Sequence, residues 1–257
     1  MNKGYKTLLL SFIFLSVVSC STSRAVNKTL SPPIDIKWVN VEVKNPSQYT
    51  KPFPLEVRYI SYECKKKRIS GFDGSVITEP SYYVIGIPMQ QESGDIWKAK
   101  VAMTGGGSCK WTLSVVNLGI EYIDAIHLGK ELVPGTAVGG ALAFDNDASR
   151  NGQFDIETGN NYKFTPLYYP LIHSNKRIQE NDILESLGKE DFIKKRIDYD
   201  KQSDVFISFI PELNESKVIK MIAPEKYKVG AFYKIICPNG VVVSDGTIHP
   251  DINKIKK

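Results

Sequence analysis

Apolar and polar residues alternate over several short stretches of the first two thirds of the chain, and this is the period of a β-strand. Turn residues separate the stretches, as in the Gly-Phe-Asp-Gly run that begins at Gly71. The clearest alternating stretches are Leu55–Tyr59, Trp97–Met103 and Trp111–Val115. Short strands at this spacing predict a mainly β fold, with an antiparallel, sandwich-like domain over residues 34–165.

The pattern changes after residue 165, where the spacing of apolar residues becomes helical. Asn181 is placed to cap a helix over 182–187, and Gly188 is placed to end it. A second helix is predicted by the spacing of Phe192, Ile193 and Ile197. Strand-like runs then return, and Asn239-Gly240 between two of them predicts a hairpin. We therefore expect a smaller α+β part over residues 166–257.

The first residues form a secretory signal. Two lysines precede an apolar run from Leu8 to Val18. This run is 11 residues long, whereas a transmembrane helix needs about 20. The segment therefore predicts export of the chain.

The end of the signal, Val-Val-Ser-Cys, resembles the bacterial lipobox, in which the cysteine thiol is alkylated with diacylglycerol. The resemblance implies that residues 1–19 are removed and that Cys20 becomes a lipidated N-terminus, with palmitate among its acyl chains. Ser21 implies sorting to the outer membrane of a Gram-negative host, with the protein facing the periplasm. Residues 20–33, rich in Ser, Thr and Pro, then predict a tether. The alternative is an ordinary signal peptide with an incidental cysteine.

Lipidation of Cys20 leaves three cysteines, so one thiol cannot pair within the chain. Cys64 and Cys109 border strand-like runs in the same half of the chain, and an exported compartment permits a disulfide. We expect these two to pair. Cys237, which follows two isoleucines, is interpreted as a buried thiol rather than a nucleophile.

Composition and motifs narrow the function. The net charge of +5 over 257 residues gives no extended basic face, so nucleic acid is not expected as a partner. The sequence has neither the G-x-S-x-G pentapeptide of α/β-hydrolases nor the H-E-x-x-H zinc motif. Together these features predict a binding protein without enzymatic activity and without a cofactor. The densest positive run, Lys65–Arg68, is interpreted as a solvated loop or as a surface for an anionic lipid or partner.

One segment has the spacing of a cation-binding loop. Oxygen-bearing side chains alternate at Asp145, Asp147, Ser149 and Asn151, and such a chain can wrap Ca²⁺. Arg150 occupies the position where an EF-hand loop needs glycine. The same residues also form simple turns, which is the competing interpretation.

The lipobox, the stretch from Gly119 to Asp155 and the tail from Val218 to Val243 are similar to lipoproteins found beside type VI secretion phospholipase effectors. The resemblance implies an immunity protein that binds such a toxin and neutralises it. A structural or assembly lipoprotein of an envelope or secretion complex is the alternative.

Overall fold

The computed structural model describes residues 26–149, 153–226 and 228–255. For residues 254 and 255 it describes only the backbone. The described chain is mainly β, as predicted. Its strands are, in chain order, β1 Trp38–Lys44, β2 Thr50–Pro52, β3 Leu55–Ile69, β4 Val76–Ile87, β5 Gln90–Ser93, β6 Ile96–Ala102, β7 Thr104–Gly106, β8 Trp111–Tyr122, β9 Leu132–Pro134, β10 Val138–Ala143, β11 Asp155–Thr158, β12 Asn161–Phe164, β13 Leu167–Ser174, β14 Asp182–Gly188, β15 Phe192–Asp198, β16 Val205–Phe209, β17 Glu212–Leu213, β18 Ile219–Ile222, β19 Lys234–Ile236 and β20 Val242–Val243. Two four-residue helices are described, α1 Asn146–Ser149 and α2 Ile252–Ile255.

The strands form three sheets. Sheet I has the order β12-β16-β1-β6-β5. Sheet II has the order β11-β15-β10-β8-β3-β4, with β2 and β7 also paired to β8. Sheet III has the order β20-β19-β18-β13-β14-β9, with β17 also paired to β13.

Sheets I and II each contain strands from both halves of the sequence. In sheet I, β16 pairs in parallel with β1, which places Val205 opposite Val39. In sheet II, β15 pairs in parallel with β10 and with β11. The regions expected to be separate on either side of residue 165 therefore share two sheets.

A single hydrophobic cluster joins sheets I and II. Strands alternate their side chains between two faces, and one face of β1, β3 and β16 supplies this cluster. Trp111 and Phe209 are among its fully buried side chains, although they come from opposite halves of the chain. Sheet III has a smaller cluster of its own, which includes Tyr169, Ile219 and Cys237.

The two predicted helices between residues 182 and 197 are wrong, because both segments are strands. β14 covers the first segment and pairs with β13 on one side and β9 on the other. β15 covers the second and lies between β10 and β11. Both faces of these two strands carry side chains that are at least partly buried, so apolar and polar residues do not alternate as they do in a strand with one exposed face. The spacing of the apolar residues therefore resembles that of a helix.

The smaller α+β part over residues 166–257 is consequently wrong as well. Its described residues form strands of all three sheets, and its one described helix is the short α2. The predicted hairpin at Asn239-Gly240 is confirmed, since β19 and β20 pair antiparallel across it. Over the described ranges, no helix is long and apolar enough to cross a membrane.

The shared core predicts unequal effects of two substitutions on one strand. Phe209 is fully buried in the joint cluster, whereas the side chain of Phe206 is half exposed. Phe209→Ala should lower the free energy of unfolding by about 3–5 kcal/mol, because it leaves a cavity in the core. Phe206→Ala is the matched control and should cost much less. Urea denaturation measures both, and equal losses would contradict the shared core.

Candidate binding surface

A disulfide fixes β3 to the loop before β8. The sulfur atoms of Cys64 and Cys109 lie 2.02 Å apart, and their Cα atoms lie 5.2 Å apart. This is the pair expected from the sequence. The Ser61 hydroxyl donates to the Cys109 carbonyl oxygen, and the Cys64 N–H donates to the Ser61 hydroxyl. The crosslink and these hydrogen bonds join both elements at one point.

Beyond this point β3 and β4 continue as a hairpin, which we call the arm and define as residues 65–80. The register between β3 and β4 shifts between Ser61 and Lys65. Such a shift bends a strand pair and increases its twist. Within the arm β3 and β4 pair with each other, and the described residues provide no other strand partner for this part. The arm is therefore supported only at its base.

The end of the arm is a hydrogen-bonded turn from Ser70 to Ser75. The Ser70 N–H donates to the Ser75 carbonyl oxygen at 2.8 Å, and the Gly74 N–H donates to the Ser70 carbonyl oxygen at 3.1 Å. Gly74 has a φ of 72°, a backbone conformation that glycine adopts without strain. The Asp73 carboxylate accepts hydrogen bonds from Ser75, and hydrogen bonds from Ser70 and Ser75 lower the pKa of Asp73. The turn is thus defined without any partner molecule.

One side of the arm carries a compact ion cluster. Glu79 binds the Arg68 guanidinium at 3.0 Å and the Lys66 ammonium at 3.2 Å. Hydrogen bonds from these two cations lower the pKa of Glu79, which keeps the carboxylate ionised at neutral pH. Each pair is exposed, so it contributes little to the free energy of folding. Its effect is to orient Lys66 and Arg68 toward Glu79.

Below the arm, the outer side of β3 and β4 presents an aromatic and cationic surface. We call it the tyrosine face and define it by Arg58, Tyr62, Tyr82 and Val84. Arg58 and Val84 are opposite each other in the register, so their side chains lie on the same side of the sheet. Tyr62 and Val84 are half exposed. Core residues such as Tyr59 lie on the opposite side of the sheet.

Charged neighbours hold the tyrosines of this face. The Arg58 guanidinium lies 5.1 Å from the ring centre of Tyr82, a cation–π contact, and its Nε donates to the Ser114 hydroxyl at 3.3 Å. The Tyr62 hydroxyl donates to the Asp147 carboxylate at 3.1 Å. Burial, this hydrogen bond and nearby carboxylates raise the pKa of Tyr62 to about 12. The phenol therefore stays neutral and remains a donor at physiological pH.

The tyrosine face adjoins a strand edge without a partner. Strand β4 is the last strand of sheet II and, among the described residues, pairs only with β3. An open edge offers backbone N–H and C=O groups to another chain. Pro80 interrupts this row, because proline has no N–H to donate. The seven residues from Ser81 to Ile87 remain as a continuous edge beside the tyrosine face.

The predicted cation-binding residues have other partners in the structure. The Asp145 carboxylate accepts from the Ala148 N–H at 2.7 Å and so caps α1. Asp147 binds Tyr62, and the Ser149 hydroxyl donates to the Asn146 carbonyl oxygen. Asn151 lies outside the described residues. No group of three or more His, Cys, Asp or Glu residues in the described ranges could hold a metal ion, and calcium binding here stays a prediction.

Of the two remaining cysteines, only one lies in the described part of the chain. Cys20, the predicted lipidation site, lies outside the described residues. Cys237 is a free, buried thiol. It packs in the cluster of sheet III, as the two preceding isoleucines suggested.

Sequence reasoning missed a polar cluster formed by three loops. His127 Nε2 lies 2.9 Å from a Glu215 carboxylate oxygen, and the Tyr49 ring stacks on the imidazole at 3.5 Å. The Ser47 hydroxyl donates to the same carboxylate at 3.3–3.4 Å. In a serine hydrolase the nucleophilic hydroxyl contacts the histidine that acts as its base. In this cluster the Ser47 hydroxyl contacts the Glu215 carboxylate instead. Because 88 residues separate His127 from Glu215, no local motif could reveal the pair. The cluster links the loops.

No protein-family model, curated protein or solved structure matches the chain.

The disulfide predicts a loss of stability on reduction. It closes a loop with a sequence separation of 45 residues. Replacing Cys64 and Cys109 together by serine should lower the free energy of unfolding by about 4 kcal/mol, because the unfolded chain gains entropy. Denaturation in urea measures the loss. A reductant should cause a similar loss in the unchanged protein and none in the variant. Equal stability of the oxidised and reduced proteins would contradict the assignment.

Proposed function

We propose that this protein is a lipid-anchored protein of the outer membrane, facing the periplasm, that binds and neutralises a type VI secretion phospholipase effector. The lipobox ending in Cys20 supports the anchor and the compartment. The Cys64–Cys109 disulfide supports an oxidising location. The similarity to immunity lipoproteins supports the class of partner.

The tyrosine face is the observation that carries the proposal of a protein partner. Tyrosine and arginine are enriched among residues that dominate binding energies. Here the cation–π contact with Arg58 orients Tyr82 before a partner arrives, so little side-chain entropy is lost on binding. Half-exposed Val84 adds apolar area beside it. The open edge of β4 extends the same surface with backbone groups.

The lipid anchor holds this binding surface at the membrane where a phospholipase acts. A phospholipase that attacks the periplasmic leaflet must come to the surface that holds its substrate. An inhibitor confined to that surface meets the phospholipase at a raised effective concentration.

We also propose that sheets I and II pack face to face in a sandwich-like arrangement. The hydrophobic cluster that both sheets share supports this arrangement.

Substitution of Tyr82 tests the binding surface. Tyr82→Ala should weaken binding of the phospholipase encoded beside this protein by about 30-fold or more, the effect of losing a central tyrosine anchor. Phe206→Ala removes a half-exposed aromatic ring from sheet I, away from the tyrosine face, and serves as the control. Calorimetric titration of the purified effector measures both affinities. Equal affinities for the two variants would exclude the tyrosine face.

Survival assays separate the function from the surface. Deleting the protein should sensitise cells to the phospholipase, and Cys20→Ala should weaken protection because the inhibitor leaves the membrane. Full survival of the deletion strain under attack would contradict the immunity function. Recovery of envelope-assembly subunits instead of a phospholipase in affinity capture would favour the structural alternative.

A further inference from the structure

The apex of the arm is apolar and exposed. Phe72 is 99% exposed, and Ile69 and Val76 are 72% and 65% exposed. Ile69 and Val76 are opposite each other in the register, so both side chains lie on one side of the hairpin. Three large apolar side chains therefore project together into solvent at the end of a narrow element. Such an arrangement usually marks an interaction site.

Two lysines lie on the same side of the arm as Ile69 and Val76. Alternation along β3 places Lys65, Lys67 and Ile69 on one side, and Lys66 and Arg68 on the other. The latter two bind Glu79. Within the described part of the chain, no ion pair or hydrogen bond engages the side chains of Lys65 and Lys67. Their ammonium groups are thus available, and their backbone positions lie about 7 and 13 Å from that of Ile69, given about 3.3 Å per strand residue.

The charge of the arm favours an anionic surface. Residues 65–80 contain four cations, Lys65–Arg68, and two carboxylates, Asp73 and Glu79, a net charge of +2. Both carboxylates are already hydrogen-bonded within the arm. The side of the arm with free lysines therefore carries no unpaired acidic group among its named residues.

The later part of the predicted tether, from Asn27 to Ser31, is bound to the protein, and the described chain begins beside the base of the arm. The Trp111 indole N–H donates to the Asn27 carbonyl oxygen at 3.1 Å, and the Asn27 amide donates to the Ser108 hydroxyl, next to Cys109. Farther along, the Ser31 N–H donates to the Gly105 carbonyl oxygen. Toward its N-terminus the described segment therefore runs to the disulfide. This places the start of the described chain at the base of the arm.

The distance from Cys20 to the described chain is similar to the length of the arm. Cys20 lies six residues before Val26, so the lipidated residue is at most about 20 Å from the described chain. The strands of the arm extend about 17 Å beyond Cys64, over the five residues from Lys65 to Ile69. A lipid anchor at Cys20 thus holds the base of the arm at a distance from the bilayer that the arm can span.

We propose that the arm is a second membrane contact, with its apex inserted into the interface of a bilayer that contains anionic phospholipid. Phe72, Ile69 and Val76 enter the boundary between headgroups and acyl chains, and Lys65 and Lys67 bind lipid phosphates. A specific protein interface buries about 800 Å² on each partner, far more than three side chains at a hairpin tip supply. A bilayer needs no complementary shape. The proposal goes beyond the binding of an effector, and it rests on the proposed function only for the lipid anchor at Cys20.

Tryptophan quenching tests insertion. Phe72→Trp is placed in the full-length, lipidated protein and reconstituted into vesicles of phosphatidylcholine and phosphatidylglycerol with brominated acyl chains. The new tryptophan should be quenched, because its indole contacts the acyl-chain boundary. Phe206→Trp, on the half-exposed face of sheet I, is the matched control and should show no added quenching. Equal quenching at both positions would overturn the proposal.

Charge reversal tests the lysines in the Phe72→Trp background. Lys65→Glu with Lys67→Glu should reduce the ratio of docked to undocked arms by about 20-fold or more, since each basic residue near an anionic surface contributes about fivefold. Lys226→Glu with Lys228→Glu makes the same charge change at exposed positions with the same spacing. Only the first pair of substitutions should reduce the quenching at position 72. Equal quenching in both pairs would overturn the role of the lysines.

A protein partner for the apex is the outcome to be distinguished. Phe72→Glu should leave the affinity for the phospholipase in detergent solution unchanged. Loss of that affinity, together with no quenching at position 72, would make the arm a protein-binding element and overturn the membrane contact. The lipid experiment contains no effector, so failure of the immunity function leaves its result unaffected.

Discussion

The return of two late strands into the early sheets is the constraint on which the rest of the structure depends. β16 pairs with β1, and β15 lies between β10 and β11, so neither sheet I nor sheet II is complete without residues beyond 190. Phe209 and Ile197 then join Trp111 in one buried cluster. Burial on this scale supplies the main driving force for folding. The long separations also mean that the core cannot form from one half alone.

This core gives the arm a rigid base. Trp111 lies in the core, and Cys109, two residues earlier, crosslinks to the point where β3 leaves the sheet. The arm therefore projects from a fixed position rather than from a loop. The tyrosine face lies on the same two strands, between the arm and the body of sheet II. The proposed protein-binding surface and the proposed lipid-binding apex thus lie on one pair of strands, and the described chain begins near its base.

The sequence indicated parts of the candidate site but not their arrangement. The pairing of Cys64 with Cys109 could be predicted, because both cysteines border strand-like runs in a chain whose sequence predicts export. The run of basic residues at 65–68 was visible as well. Its division into Lys66 and Arg68 bound to Glu79, and Lys65 and Lys67 left free, depends on the register across the hairpin. The contact of His127 with Glu215 depends on loops that are distant in sequence.

The same distinction separates the correct and incorrect parts of the predicted fold. Alternation over strands such as Leu55–Tyr59, in which one face is buried and the other is more exposed, indicated the β class. The Asn-Gly turn between two apolar runs indicated the hairpin at Asn239-Gly240. The segments 182–187 and 192–197 have helical spacing, yet they are strands, because neighbours on both sides take up their backbone hydrogen bonds. Local sequence determines which face of a segment is apolar. Only the tertiary structure decided which distant strands cover it, because that choice depends on burial summed over the whole chain.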